Sequence, residues 1–227
     1  MFQLDRVVPW GRSFDEYCRM FALTAGDLER RILGCADGPA SFNAELTRRG
    51  GRIVSCDPLY RFDGPEIAER IRQTSEEVLT QTRENADAFV WTNHIHSVDE
   101  LGEMRMSAMR VFLDDYAAGR AGGRYVDAEL PRLPFADSGF DLALCSHFLF
   151  LYSKQFDEAF HYAALRELSR VAADVRVYPL VTLSGERSPF VDTCARALDR
   201  DGFAVSIEAV PYEFQRGATH MLRIVRA

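Results

Sequence analysis

The 227-residue chain lacks the usual features of secreted, membrane-spanning and nucleic-acid-binding proteins. Its five cysteines, an odd number, include no Cys-x-x-Cys pair, so neither a disulfide framework nor a zinc knuckle is indicated. No apolar run approaches the ~20 residues that span a bilayer, and the longest, from Leu142 to Leu151, contains Ser146 and His147. The formal net charge of -7 argues against a broad phosphate-binding surface.

The first residues of the chain also lack the charged-then-apolar order of a secretory signal. We therefore expect a cytoplasmic protein that binds neither membranes nor nucleic acids. Composition alone leaves its oligomeric state open.

Hydrophobic residues make up 47% of the sequence and charged residues 27%, which suits a sizeable folded core. Short apolar runs alternate with helical patterns, as in α/β folds with a doubly wound, mostly parallel sheet. We predict one domain over residues 1–227 with seven strands. Only eight to ten residues separate the last two strands, too few for a helical crossover, so they should form a closing antiparallel hairpin.

Helix signals punctuate the chain. Ser13 and Glu16 form a capping box, which predicts a helix over residues 14–23. Pro39 suits the first turn of a helix that reaches Arg49. Two more helices are expected between the second and third strands, from Pro65 to Asn85 and after Ser97.

Glu100 would complete a second capping box with Ser97. The helix that follows carries an apolar stripe, formed by Leu101, Met104, Ala108, Val111 and Phe112. A crossover needs only one helix, so residues 62–122 are interpreted as a helical insertion that covers a ligand as a lid. Later helices are predicted from Lys154 to Ala172 and from Ser188 to just before Gly202.

The predicted strands are, in chain order, residues 31–34, 52–56, 124–126, 140–145, 174–178, 203–210 and 221–225. Ligands of open α/β sheets bind beyond the carboxyl ends of the strands. Candidate site residues follow four of these ends.

The first strand leads into the turn Gly34-Cys35-Ala36-Asp37-Gly38. Glycines there let a ligand approach the backbone closely. Asp37, expected at the start of the following helix, would repel a pyrophosphate, so the turn suits a ligand without phosphates. This feature disfavours one alternative for the function, a nicotinamide-dependent enzyme.

Asp57, before Pro58 at the end of the second strand, can accept two hydrogen bonds from ribose hydroxyls. Asp127, followed by Ala128, can accept a hydrogen bond from an exocyclic amine such as that of adenine. After the central strand, Ser146 and His147 would lie below the reactive end of a ligand. The pair His94 and His96 is too small a donor set for a metal site, and none is predicted.

The ordered set Gly34-x-Ala36-x-Gly38, Asp57, Asp127-Ala128 and the segment from Leu133 to Leu142 resembles the class I S-adenosylmethionine-dependent methyltransferases of small molecules. The resemblance covers about residues 30–150, and the closing hairpin extends it. It implies a Rossmann-like methyltransferase fold, S-adenosylmethionine as cofactor and a small-molecule methyl acceptor.

The resemblance implies cofactor binding by a set of ten residues: Gly34, Cys35, Ala36, Asp37, Gly38, Asp57, Pro58, Asp127, Ala128 and Ser146. His147 is the first candidate for the catalytic base, with Tyr152 and Tyr178 as weaker ones. Arg12 or Tyr17 would lie near the cofactor carboxylate.

Two positions depart from the family pattern, because Ile32 replaces an acid and Ala36 replaces a glycine. They motivate an alternative, a catalytically degenerate member that keeps the fold and serves as a binding or scaffold module.

Overall fold

The computed structural model describes residues 8–91 and 95–226. It contains a seven-stranded sheet in the order β3-β2-β1-β4-β5-β7-β6. The strands are β1 (Arg31–Cys35), β2 (Arg52–Cys56), β3 (Tyr125–Val126), β4 (Phe140–Ser146), β5 (Ala172–Tyr178), β6 (Phe203–Ala209) and β7 (His220–Arg226). β1 to β5 run parallel, whereas β7 pairs antiparallel with both β5 and β6. The predicted architecture and the closing hairpin are confirmed.

Helices cover both faces of the sheet. They are α1 (Phe14–Met20), α2 (Ala25–Leu28), α3 (Phe42–Arg48), α4 (Gly64–Glu84), α5 (Val98–Ala121), α6 (Glu158–Val171) and α7 (Val191–Arg200). Among the described residues, no helix combines the length and the apolarity needed to cross a membrane.

Alternating residues of each buried strand build two cores. Leu33 and Ala143 face one side of the sheet, in a core that includes Leu165 of α6 and Leu198 of α7. Ile32 faces the other side together with Leu142 and Leu144 of the neighbouring strand β4, where α1 and α3 pack. Ile32 is fully buried, so this position supplies packing rather than a charge.

A third core lies under α4 and α5, the two helices between β2 and β3. Tyr60, Phe112, Tyr116 and Tyr125 form an aromatic cluster there, with ring centroids 5.1–6.0 Å apart. The Tyr116 hydroxyl donates to the backbone oxygens of residues 60 and 62. These contacts fix α4 and α5 over the edge of the sheet that carries β2 and β3.

Several helix boundaries differ from prediction. The helix expected from Pro39 begins at Phe42, because residues 38–41 pack against the segment before α1. The Ser41 N–H donates to the Arg12 carbonyl, and a Cβ at Gly11 would lie 2.1 Å from the Pro39 oxygen. Asp37 is therefore not at a helix start.

The helix predicted from Lys154 begins at Glu158, where the Asp157 side chain accepts from the Phe160 N–H. The helix predicted from Ser188 begins at Val191, after Phe190. The helix predicted over residues 14–23 ends at Met20, and a second capping box at Thr24 begins α2.

Only one of the two hydrogen bonds of the capping box predicted for Ser97 and Glu100 forms. Ser97 accepts from the Glu100 N–H, but the Glu100 carboxylate accepts from the His96 N–H instead. The stripe of α5 is also rotated relative to the prediction: Arg105 and Met109 are buried where Met104 and Val111 were expected.

Candidate functional site

The carboxyl ends of β1, β2 and β4 lie side by side. Cys35 pairs in register with Cys56 on one side and with Cys145 on the other. All three cysteines are buried in or beside the sheet core. Cys35 therefore lies below the turn rather than at its surface, and the chain segments that follow the three strands share one edge.

The turn after β1 takes left-handed backbone conformations. Ala36 has φ +53° and Gly38 has φ +52°. Ala36 thus keeps the conformation that a glycine would adopt, although its Cβ costs about 1–2 kcal/mol there. Its N–H donates to the Cys56 carbonyl at 2.9 Å.

Asp37 folds back over the end of β1. A Cβ built on Gly34 would lie 2.0 Å from Asp37 Oδ2, so only glycine fits at this position. The carboxylate accepts from the Tyr17 hydroxyl at 2.6 Å and from the Ser55 hydroxyl at 2.6 Å. Burial raises the pKa of Asp37, while these two hydrogen bonds lower it.

Asp57 contacts the same turn from β2. Its Oδ2 accepts from the Gly38 N–H at 2.9 Å, and Oδ1 accepts from the Leu59 N–H at 2.7 Å. Burial, only partly offset by these hydrogen bonds, raises the pKa of Asp57 to about 6. Each oxygen keeps a second lone pair for a ligand.

His147 follows β4 with φ +51°, and its N–H donates to the Tyr178 carbonyl at 2.7 Å. Its Nδ1 lies 2.9 Å from Ser146 Oγ. Burial, and then the positive charges of Arg12 and Arg105, hold the pKa of His147 well below its ordinary value. The imidazole is therefore neutral at neutral pH.

Two hydrogen bonds lie between His147 and the turn. The Tyr17 hydroxyl donates to Asp37, and Ser146 Oγ hydrogen-bonds to His147 Nδ1. Since Nδ1 is engaged by Ser146, Nε2 is the imidazole nitrogen that faces a ligand.

A cavity opens above these groups. Its empty volume is about 1010 Å³, open solvent at the mouth included. The polar part of the lining is formed by Arg12, Tyr17, Ala36, Asp37, Gly38, Asp57, Ser146 and His147. The apolar part is formed by Val78, Phe89, Leu101, Phe148, Leu151, Tyr152, Leu183 and Phe214.

Arg105 of α5 enters the cavity lining with only 1% of its surface exposed. Its guanidinium forms an ion pair with Glu16, whose other oxygen accepts from the Tyr212 hydroxyl at 2.6 Å. Burial opposes the charge of Glu16, but Arg105 lowers the pKa of Glu16 to about 2. This buried cluster joins α1, α5 and the β6–β7 connection.

Arg12 has no carboxylate partner among the described residues. Its Nη1 donates to the Trp10 carbonyl at 2.8 Å, while its Nε is buried without a hydrogen-bond partner. Burial and the charge of Arg105 lower the pKa of Arg12. The Nε of Arg105 is likewise buried and unpartnered. Two arginines that line the cavity therefore each keep one buried N–H without a protein acceptor.

A second, shallower compartment shares Val8, Gly38 and Asp57 with the main cavity. Part of its lining comes from the 3-10 helix Pro58–Arg61, which follows β2, and from Phe62. The rest comes from Arg70, Gln73 and Thr74 of α4 and from Pro9. Asp57 thus stands between the two compartments.

The structure does not bring every predicted site residue to these compartments. Asp127 is exposed, and neither it nor Ala128 lines either compartment. Gly34 and Cys35 lie beneath the turn rather than in the lining. Of the predicted cofactor-binding residues and His147, those that line a compartment are Ala36, Asp37, Gly38, Asp57, Pro58, Ser146 and His147. Arg12, Tyr17 and Tyr152 line the main cavity as well, whereas Tyr178 lines neither compartment.

Sequence reasoning missed the cover of the cavity. Phe89 stacks on Phe214 with ring centroids 4.9 Å apart, and Trp91 meets Phe214 edge-on at 5.3 Å. The Val90 N–H donates to the Phe214 carbonyl, and the Arg216 N–H donates to the Ala88 carbonyl. The segment after α4 is thereby attached to the β6–β7 connection. We call this junction the strap.

The predicted absence of a metal site concerned His94 and His96. His94 lies outside the described residues. Within the described residues, no group of three or more histidine, cysteine, aspartate or glutamate side chains is arranged to hold a metal ion.

The sheet order and the site edge define a Rossmann-like methyltransferase fold. The mitomycin 7-O-methyltransferase MmcR is similar in structure, with a TM-score of 0.51 and 14% identity over 94% of this chain and 54% of that chain. Magnesium protoporphyrin IX methyltransferase (ChlM) from Synechocystis PCC 6803 gives a TM-score of 0.46 and 13% identity over 94% of this chain and 78% of that one. No protein-family model matches the chain.

A curated relative covers nearly the whole sequence. The chain is 33% identical over 224 residues to the uncharacterized protein MJ0045 of Methanocaldococcus jannaschii (strain ATCC 43067). The aligned region covers 98% of each of the two chains. This chain belongs to the same family as MJ0045.

Proposed function

We propose that this protein transfers the methyl group of S-adenosylmethionine to a small-molecule acceptor. The observation that carries the proposal is the position of Asp57. It lies beside the left-handed turn and between two connected compartments, where one ligand can place its sugar on the carboxylate and extend to both sides.

The residues present fit this cofactor. The turn offers close backbone approach without a phosphate cradle, because Asp37 occupies the position beside Gly34. Arg12, with a buried and unpartnered Nε, suits the carboxylate of the methionine part. The compartment beside Pro58 and Leu59 suits the purine.

The departures from the family pattern do not obstruct the site. Ala36 already has the backbone conformation of the glycine it replaces. Asp57 accepts from the Gly38 amide and so supplies a carboxylate partner within the turn. Ile32 belongs to the core and is not needed there.

His147 is proposed as the catalytic base. The bound cofactor supplies an electrophilic methyl group, so the protein must position a nucleophile and, for a weak acid, accept its proton. The hydrogen bond between Ser146 Oγ and His147 Nδ1 orients the imidazole and leaves Nε2 for the acceptor. The low pKa of His147 keeps it unprotonated before the acceptor binds.

We further propose that residues 62–122 form a lid and that the whole chain acts as one domain. Val78 of α4 and Leu101 of α5 contribute apolar side chains to the lining of the cavity. Such a cover excludes water from the reacting atoms and gives an apolar acceptor a surface to contact.

Calorimetry with S-adenosylmethionine and S-adenosylhomocysteine tests the function. We expect micromolar binding of both, and at least tenfold weaker binding by Asp57→Ala, because the sugar loses its acceptor. Val205→Ala on β6, far from the cavity, is the control and should bind normally. Absence of heat at millimolar ligand would favour the alternative, a non-catalytic binding or scaffold protein.

A further inference from the structure

A buried chain of hydrogen bonds reaches Asp37 from within the fold. Ser55 of β2 donates its hydroxyl hydrogen to Asp37 Oδ2 at 2.6 Å. The Asn43 amide of α3 donates to Ser55 Oγ at 3.0 Å. Asn43 Oδ1 in turn accepts from Arg124 Nη1 at 2.6 Å. Ser55 and Asn43 are 0% and 1% exposed, so water does not compete for these groups.

Arg124 fixes the orientation of the Asn43 amide, because it contacts both ends of that amide. The Arg124 guanidinium can only donate and faces Oδ1, whereas the Arg124 carbonyl can only accept and lies 3.1 Å from Nδ2. A flipped amide would place two donors together and two acceptors together. The amide nitrogen therefore points at Ser55 Oγ, and the Ser55 hydrogen is left for Asp37.

The far end of the chain is anchored in the segment between β2 and β3. Asp115 of α5 accepts from both terminal nitrogens of Arg124 at 2.8 Å and from the Tyr125 hydroxyl at 2.9 Å. Such a bidentate pair holds the guanidinium in one plane. Asp115 also balances the positive charge of Arg124, so the chain transmits to Asp37 a direction of donors rather than a net charge.

Asp37 depends on these donors because its surroundings oppose its charge. The residue is 6% exposed, and burial raises its pKa, whereas the hydroxyls of Ser55 and then Tyr17 lower it. Both donors are neutral. A buried carboxylate that is supported by neutral hydroxyls is sensitive to the direction in which each hydroxyl points.

The titratable groups that interact with Asp37 from the neighbouring elements carry no positive charge. They are Tyr17 of α1, Cys35 of β1, Asp57 after β2, Tyr60 of the 3-10 helix and Cys145 of β4. Arg12 and His147 line the same cavity, from the segment before α1 and from the end of β4.

We propose that Ser55, Asn43 and Arg124 are positioning residues that keep the Asp37 carboxylate ionised and in place over Gly34. None of the three lines either compartment, so they act through Asp37, which lines the main cavity. The inference rests on the proposed function: S-adenosylmethionine carries an ammonium and a sulfonium group, and each Asp37 oxygen keeps a second lone pair for a positive group.

Carbon-13 NMR of the aspartate carboxyl groups, titrated in the free protein, measures the ionisation of Asp37, and Asp37→Asn assigns its signal. In Ser55→Ala, which removes one donor, we expect the pKa of Asp37 to rise by at least about one unit, a tenfold shift toward the protonated form. Ser169→Ala is the control, because that buried hydroxyl donates to the Leu165 carbonyl within α6. An unchanged pKa of Asp37 in Ser55→Ala overturns the proposal.

Asn43→Asp tests the direction of the chain. The introduced carboxylate keeps an oxygen for Arg124 but turns an acceptor toward Ser55, which draws the Ser55 hydrogen away from Asp37. The pKa of Asp37 should rise, and the rise should be smaller in a Ser55→Ala background, where the path is already broken. Equal rises in both backgrounds would mean that the added charge acts through space, and would overturn the role of Asn43 and Arg124.

Calorimetry with S-adenosylhomocysteine separates positioning from a general structural role. Relative to the unmodified protein, Ser55→Ala should bind at least about threefold more weakly at about pH 6.5 and regain normal affinity at about pH 8.5, where Asp37 is ionised in both proteins. The same weakening at both pH values would mean damage to the turn and would contradict the proposal.

The two measurements also separate this proposal from the proposed function. If S-adenosylhomocysteine fails to bind while the Asp37 pKa shifts as expected, the proposed function falls and the positioning of Asp37 stands. If S-adenosylhomocysteine binds and the Asp37 pKa does not move, the reverse holds.

Discussion

At the scale of single residues, the surroundings of Asp57 raise its pKa into the range of ordinary experimental pH. Its pKa of about 6, raised by burial and by nearby Asp37, lies above the ordinary value near 3.9. The folded protein therefore holds a proton on Asp57 that the unfolded chain has already lost. For this residue alone, folding stability falls as the pH rises from about 4 through about 6.

Ligand affinity should follow the opposite trend. Only the ionised carboxylate accepts from two sugar hydroxyls, and at about pH 5 a tenth of the molecules carry that charge. We expect S-adenosylhomocysteine to bind about tenfold more weakly at pH 5 than at pH 7, measured by calorimetry. Asp57→Asn should bind weakly with little pH dependence; an equally steep profile in this variant would assign the titration to another group.

Gly34 and Asp37 should behave as one unit, because a methyl group on Gly34 would overlap the Asp37 carboxylate. Gly34→Ala should destabilise the protein in urea unfolding, and by at least about 1 kcal/mol less in an Asp37→Ala background. Gly26→Ala in α2 is the matched control, since its methyl would meet only Thr24 Oγ1 at 3.8 Å. Equal costs in both backgrounds would mean that the overlap is relieved elsewhere.

The residues most visible in the sequence were those at strand ends. Asp57 could be predicted because an acid before Pro58 closes a buried strand. Asp127 is also an acid that directly follows a strand, yet it is exposed. How deeply a strand end is buried depends on the packing around it, which the local sequence does not show. Glu16 was predicted as a capping residue and does cap α1, but its ion pair with Arg105 bridges 89 residues and leaves no local pattern.

At the scale of elements, the sequence of α5 contains one signal for the contact between Arg105 and Glu16. Arg105 interrupts the apolar face of α5 at i+4 from Leu101 and i−3 from Ala108. A cation on such a face needs either a buried partner or a ligand. The later start of α3 left no such signal, because it follows from the close approach of Gly11 to residue 39.

The strap depends on aromatic stacking between Phe89 and Phe214. Phe214→Ala should weaken it, since the stack contributes about 0.5–1.5 kcal/mol beyond the area it buries. Amide hydrogen exchange of residues 86–91 should accelerate while the central strands stay protected. Ile207→Ala, an exposed change on the same hairpin, should leave that exchange unaltered. Uniform acceleration across the sheet would instead mean that the strap supports the whole fold.

At the scale of the whole molecule, a buried ionic network ties α2 to β5 and β7. Asp174 accepts from three arginines, Arg30, Arg176 and Arg223, and Arg176 also pairs with Asp27. Burial opposes the charge of Asp27, but hydrogen bonds from Thr24 and Arg176 lower its pKa to about 2. The pKa of Asp174 is lowered in the same way, chiefly by Arg223 and Arg176.

Because these folded pKa values lie below the unfolded ones, the network stabilises the protein above about pH 4, and this stability is lost as the pH falls toward 2. Asp174→Asn should cost about 3–5 kcal/mol at neutral pH, because three guanidinium groups lose their shared anion. Urea unfolding measures this. The exposed pair of Arg187 and Asp192 is the control, and Asp192→Asn should cost less than about 1 kcal/mol. Similar losses would show that burial adds nothing to the network.

The mostly parallel sheet and its closing antiparallel hairpin could be predicted from the sequence, because the alternation of strands and helices and the short final connection restrict the possible topologies. The closure of the site could not. It depends on pairs such as Arg105 with Glu16 and Phe89 with Phe214, which lie far apart in the chain and belong to different periodic patterns.

The strap and the Glu16–Tyr212 hydrogen bond also fix the moment at which the site is completed during synthesis. Residues 212–214 emerge from the ribosome after the turn, α4, α5 and every strand but β7, and β7 must then enter the sheet between β5 and β6. A nascent chain therefore carries the glycine turn long before it has an enclosed chamber, with the Glu16–Arg105 pair still lacking its tyrosine. The chamber is therefore enclosed only after β7 has joined the sheet and residues 212–214 have reached α1 and the segment after α4.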